Sequence, residues 1–225
     1  GDAGVDNTIS RCDTDPAFNM ISQLGGTPDP GGMWYNSSYT NVSATFNPSN
    51  SLSGIYSYIV PGVSSSCPDD TALLTITVNT SPLVSLAPFS NLCDNENAIT
   101  LNSGVPTGGN YSVNGNTTTT FNPSPSNVGL NTITYSYTDL NGCSASATQN
   151  ITTYQSPIAS SIISNASCNG FSDGSATLTI NGGTPTYSIN WFGINPLALP
   201  AGNYGYTITD QNNCVFSDNF IIYEP

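Results

Sequence analysis

Apolar and polar residues alternate along this chain in short runs. Leu74, Ile76 and Val78 fall on one face of an extended segment and Thr75 and Thr77 on the other, the two-residue period of a strand with one buried side. The same period puts Tyr56 and Tyr58 together in Gly54-Ile55-Tyr56-Ser57-Tyr58, Tyr135 with Tyr137 in Thr134-Tyr135-Ser136-Tyr137, and Tyr204 with Tyr206 in Gly202-Asn203-Tyr204-Gly205-Tyr206. Long stretches have no apolar residues at helical spacing, and Gly, Pro, Asn and Ser punctuate the runs as turn formers do. The pattern predicts an all-β chain of many short strands, with a tyrosine pair of each set turned inward.

Self-comparison divides the chain. Thr45-Phe46-Asn47-Pro48-Ser49 returns intact as Thr120-Phe121-Asn122-Pro123-Ser124, and each copy precedes one of the tyrosine strands. Gly25 to Pro28 and Gly182 to Pro185 both read Gly-Gly-Thr-Pro. The reading is three tandem immunoglobulin-like β-sandwich modules arranged as a rod: 1–81, 82–156 and 157–225. Ser81-Pro82 and Ser156-Pro157 are the short, semi-rigid joints, since Pro lacks a backbone donor and biases its predecessor towards extended geometry. Each module carries one early and one late cysteine. Six cysteines admit fifteen pairings; independently folding repeats select Cys12 with Cys67, Cys93 with Cys143 and Cys168 with Cys214, each contributing roughly 4 kcal/mol on the chain-entropy model.

Composition narrows the chemistry. The 225 residues hold fourteen Asp plus Glu, one basic residue (Arg11) and no His, for a net charge of −13. Nucleic acid is excluded as a partner because phosphate contact needs clusters of Lys and Arg. Direct membrane insertion has no support, since no apolar run is long enough to span a bilayer. With no His and no C-x-x-C pair, the cysteines suit an oxidising compartment and not zinc. No signal peptide opens the sequence, so it reads as a mature product or a segment of something longer.

The residues Cys168-Asn169-Gly170-Phe171-Ser172-Asp173-Gly174-Ser175-Ala176-Thr177, followed by Gly182-Gly183-Thr184-Pro185, Tyr187, Trp191, Leu199-Pro200-Ala201-Gly202-Asn203-Tyr204, Thr207-Ile208-Thr209-Asp210 and Asn213-Cys214, closely resemble the SprB-type repeat of Bacteroidota gliding-motility adhesins. Modules 1 and 2 resemble the Ig-like modules that stand beside such repeats, through Leu24 to Gly32, Trp34 and Cys67 to Ala72 in the first and Asp139 with Asn141-Gly142-Cys143 in the second. The resemblance implies type IX secretion, display on the bacterial cell surface, and an O-glycan on Thr71 within Asp70-Thr71-Ala72.

The inventory points away from an enzyme: without His, and with the cysteines assigned to disulfides, carboxylates alone remain for acid–base work. The candidate calcium ligands are the acidic pairs Asp13 and Asp15, Asp94 and Glu96, with Asp173 and Asp210 in the third module; the alternative is that they cap turns. Trp34 and Trp191 are the candidates for ligand contact. The expected role is a structural or adhesive segment of a secreted surface adhesin or extracellular fibre, whose partners are other copies or modules of the fibre and surface glycans. Carbohydrate-binding accessory modules of a larger secreted enzyme, or a filament subunit joined by β-strand addition, are the alternatives.

Overall fold

A computed structural model of the chain describes residues 1–64 and 67–225. It is all-β. The first set of strands is β1 (Asn7–Cys12), β2 (Phe18–Asn19), β3 (Met33–Tyr35), β4 (Asn41–Val42), β5 (Thr45–Phe46), β6 (Gly54–Val60) and β7 (Asp70–Asn79). They form a sheet in the order β1-β7-β6-β3-β4 and a second, two-stranded sheet, β2-β5. β1 runs parallel to β7, and the β6–β7 hairpin is antiparallel. This is the strand order of an immunoglobulin-type sandwich. Its core lies between the sheets, where Phe46 packs at 5.5 Å, tilted, against Phe18 and edge-on at 5.5 Å against Tyr56.

The second set repeats that plan. It comprises β8 (Ser85–Leu86), β9 (Leu92–Cys93), β10 (Ile99–Thr100), β11 (Gly104–Val105), β12 (Asn110–Val113), β13 (Asn116–Thr117), β14 (Thr120–Phe121), β15 (Gly129–Thr138) and β16 (Ser144–Tyr154). The main sheet runs β13-β12-β15-β16-β9, with β9 parallel to β16, and β10-β14 stands in for β2-β5. The repeated pentapeptide is thus the start of an inner strand plus its turn: Phe46 pairs with Phe18, Phe121 pairs with Ile99, and both phenylalanines are buried. The third set is β17 (Pro157–Ser164), β18 (Ser175–Gly182), β19 (Ser188–Asn190), β20 (Gly202–Thr209) and β21 (Val215–Ile222), in the sheets β17-β18 and β19-β20-β21.

The chain divides into two compact units. Unit 1 holds Gly1–Ser85 together with Val105–Gly109 and Ser136–Ser146; unit 2 holds Leu86–Gly104, Asn110–Tyr135 and Ala147–Pro225. The tip of the β15–β16 hairpin therefore belongs with the first set of strands. No helix among the described residues is long and apolar enough to cross a membrane.

The alternation predicts both tyrosines of each pair inward; Tyr56 and Tyr58 are both buried, whereas in the later pairs Tyr135 and Tyr206 are buried and Tyr137 and Tyr204 only half-buried. Tyr58, Tyr135 and Tyr206 lie in the core, each packed at a tilt against an aromatic residue from a neighbouring strand or strand end: Trp34 at 5.0 Å, Tyr111 at 4.6 Å and Trp191 at 5.6 Å. In antibody domains a tryptophan at this place packs on a disulfide between the sheets. Here Trp34 packs on the buried Tyr58 instead.

Candidate functional site

The cysteines are paired differently from the sequence expectation. Cys12 is bonded to Cys143 and Cys93 to Cys214, each with Cα atoms 5.6 Å apart, whereas Cys67 and Cys168 are free and exposed. Strand length is the reason. Cys12 pairs with Asn79, the last residue of β7, while Cys67 sits in the loop leading to Asp70, its first. Ten strand residues at about 3.4 Å each keep the two roughly 30 Å apart; a disulfide needs Cα atoms within about 7 Å. The other sets follow suit. Cys93 pairs with Tyr154 at the end of β16 and Cys143 directly precedes its start. Cys214 directly precedes β21, whereas the segment leading to Cys168 is anchored past its far end, Ala166 N–H donating to Tyr223 O at 3.0 Å. Each set thus carries one cysteine at either end of its last strand, and the observed bonds join a strand-end cysteine to the hairpin-turn cysteine of the next set.

Acidic residues shape both sides of the bridges. After Cys12, Asp13 N–H donates to Asn79 O at 2.9 Å, Asp15 N–H to Cys12 O at 3.0 Å, and Cys12 N–H to the Asp15 carboxylate at 2.9 Å. After Cys93 the pattern recurs bond for bond: Asp94 N–H to Tyr154 O at 2.8 Å, Glu96 N–H to Cys93 O at 3.1 Å and Cys93 N–H to the Glu96 carboxylate at 3.1 Å. The remaining carboxylates hold the joints. Ser81 N–H donates to Asp13 Oδ1 at 2.9 Å and Ser156 N–H to Asp94 Oδ1 at 2.9 Å, which ties down the residue before each joint proline. The bonds from Ser81 hold the Asp13 carboxyl below the usual carboxylate range.

The partner turns are equally alike. In Asp139-Leu140-Asn141-Gly142-Cys143, Asp139 Oδ1 accepts from the N–H of Asn141 and of Cys143, both at 2.9 Å. In Asp210-Gln211-Asn212-Asn213-Cys214, Asp210 Oδ1 accepts from Asn212 at 2.9 Å and Cys214 at 2.8 Å, and its Oδ2 accepts from Thr184 at 2.8 Å. The fourth residue of each has a left-handed backbone, Gly142 at φ 84° and Asn213 at φ 66°, which Gly and Asn tolerate best. Asp173 accepts from Ser167 N–H at 2.9 Å and from its hydroxyl at 2.5 Å, and those bonds lower its pKa.

All six acidic residues singled out as calcium candidates accept hydrogen bonds, Asp13 and Asp94 from the joint serines and the others from nearby backbone or side-chain groups, and no three His, Cys, Asp or Glu residues among those described cluster as a metal shell. Trp34 is 3% exposed and belongs to the core, which corrects its proposed role in ligand contact. Trp191 is half-buried, edge-on to Phe220 at 6.1 Å and tilted on Tyr206. Both tryptophans, the candidates for ligand contact, cover the tyrosines of the neighbouring strand. Thr71 is exposed on β7, its neighbours divided between the buried Ala72 and Asp70, whose carboxylate accepts from Ala3 N–H at 2.7 Å. A groove of about 340 Å³ beside β5 and β6, bordered by Asn36, Ser38, Ser43, Ser51 and Tyr56, has no carboxylate or cation in its lining.

No curated protein matches the chain in sequence. Among solved structures, it is similar to Sidekick-1 immunoglobulin domains 1–4, with 11% identity, 100% of this chain and 75% of that chain covered, and a TM-score of 0.32. The N-terminal eight Ig domains of Down Syndrome Cell Adhesion Molecule match at 10% identity over 99% of this chain and 41% of that chain, with a TM-score of 0.44. Drosophila OTK extracellular domains 3–5 match at 14% identity, 99% and 95% coverage and a TM-score of 0.33. By sequence, residues 60–152 match the model of a bacterial Ig domain and residues 160–195 that of an SprB repeat, in keeping with Ig-like modules followed by an SprB-type repeat.

Proposed function

We propose that the chain is a structural and adhesive segment of an extracellular bacterial surface protein or fibre, built to withstand pulling. The observation that carries this reading is the interlacing of its two bridges. Cys12–Cys143 spans 131 positions and Cys93–Cys214 spans 121, and the two loops overlap between Cys93 and Cys143. Each bond ties one set of strands to the hairpin of the next, so every set is held to a neighbour both through the backbone and through sulfur. Loops of this size contribute about 5 kcal/mol apiece on the chain-entropy model. An oxidising, extracytoplasmic setting agrees with two bridges in one chain. The SprB-repeat match supports display at the cell surface.

The test is mechanical. Tension applied at Gly1 and Pro225 runs through the shortest covalent route: to Cys12, across to Cys143, back along the chain to Cys93, across to Cys214 and out. That route holds about 75 residues and extends to roughly 260 Å, against about 770 Å for the reduced chain. Single-molecule stretching of the oxidised chain should therefore stop near a third of its reduced contour length. An oxidised chain that extends as far as the reduced one would remove the basis for the reading.

A further inference from the structure

Four of the six cysteines obey one rule. The cysteine beside the end of a set's last strand, Cys12 or Cys93, is bonded to the cysteine in the last hairpin turn of the following set, Cys143 or Cys214. The two exposed thiols are one of each kind. Cys67 lies in the connection between β6 and β7, the hairpin position occupied by Cys143 and Cys214 in the later sets. Cys168 lies in the loop beside the end of β21, the strand-end position. Its carbonyl accepts from Phe171 N–H three residues on, at 3.1 Å, as the Cys12 carbonyl does from Asp15 and the Cys93 carbonyl from Glu96. Carboxylates brace this loop too: Glu224 accepts from Gly170 N–H at 2.8 Å and Asn169 Nδ2 at 2.9 Å.

The first set therefore has a hairpin cysteine awaiting a strand-end partner, and the third a strand-end cysteine awaiting a hairpin partner. We infer that Cys168 of one copy bonds Cys67 of a second copy, continuing between chains the bridge that joins the sets within each. This rests on the fibre reading above and names its partner. Such a contact uses different surfaces on the two copies and does not close on itself as a two-fold dimer does, so it propagates. Like charge does not exclude it, because the two bridges already made also join acidic loops whose carboxylates are occupied by backbone N–H groups. Chemically, the Cys168 and Cys67 thiols lose two protons and two electrons in forming the S–S bond. A disulfide-bearing oxidant takes them up and leaves as two thiols, by exchange through a mixed disulfide.

Intact chain incubated in a mixture of oxidised and reduced glutathione at moderate salt provides the test. A non-reducing gel should show a ladder at multiples of 23.4 kDa that collapses on reduction. Peptide mapping of a dimer made from isotopically labelled and unlabelled chains should find Cys67 joined to Cys168 across the two labels. C67S alone and C168S alone should lose every species above the monomer, while an equimolar mixture of the two should give a dimer and nothing larger. Melting of both variants at the wild-type temperature verifies that they fold, since both side chains are exposed. Symmetric Cys67–Cys67 or Cys168–Cys168 dimers, a ring closed within one chain, or a monomer retaining both thiols would each overturn the inference. The same peptide map reads Cys12–Cys143 and Cys93–Cys214 separately, so the loss of those bridges would count against the fibre reading instead.

Discussion

Asp210 shows how much one side chain settles locally. It is 4% exposed, and its two oxygens receive three backbone N–H groups, one of them from the bridging Cys214. A buried carboxylate is tolerated when its lone pairs are filled in this way, and removing it strands every donor it served. Asp210→Ala should cost about 3 kcal/mol, read from the denaturant midpoint of the oxidised chain, whereas Gln211→Ala on the exposed flank of the same turn should stay within about 0.5 kcal/mol. Equal effects would show that the carboxylate does not organise the turn. Asp139 does the same work in the earlier hairpin, so two of the fourteen acidic residues serve as acceptors for turns that end in a cysteine.

At the scale of the element, the aromatic pairs set how closely strands and loops approach. Gly104 in β11 donates its N–H to the Tyr111 hydroxyl at 2.6 Å, and a Cβ on Gly104 would lie 2.5 Å from the Tyr135 ring. The two rings pack against each other at 4.6 Å, tilted by 42°, which limits how far either can retreat. Gly104→Ala should therefore destabilise by about 1–3 kcal/mol, the range for overpacking a core. Gly54 opens β6 with nothing within 4 Å of its would-be Cβ, and Gly54→Ala should be neutral or slightly stabilising. Thermal melts of the two variants separate close packing from a general intolerance of strand glycines.

For the whole molecule, the near-absence of basic residues has a direct consequence for proteolysis. Arg11 is the sole basic side chain, and it lies in β1 opposite Val78, with its guanidinium 5.1 Å over the Phe18 ring and bonded to Gln23 at 2.7 Å. Cleavage there needs β1 to leave β7, an opening that the adjacent Cys12–Cys143 bond restrains. A Lys/Arg-specific protease should leave the oxidised, folded chain intact and take only residues 1–11 from the reduced, unfolded one. Release of that peptide at equal rates from both would show that β1 is not held.

The all-β fold and the inward-facing strand tyrosines were legible in the residues, because strand alternation and the repeated Thr-Phe-Asn-Pro-Ser are local signals; the Cys-Asp-x-acid pattern reads equally as calcium ligands or as turn caps. Trp34 was misjudged because a tryptophan between turn residues looks the same at a surface as over a buried tyrosine; the difference lies in β6, twenty-four positions away at Tyr58. The cysteine pairing lay further out of reach. Equal spacing within each repeat suggested bridges inside the repeats, but the ten and eleven residues of β7 and β16 hold those cysteines at opposite ends. Which cysteine comes within bonding distance of which is decided by how the end of one set of strands meets the hairpin of the next. That is a matter of strand length and tertiary contact, since a disulfide forms only where two Cα atoms come within about 7 Å, whatever their distance along the chain.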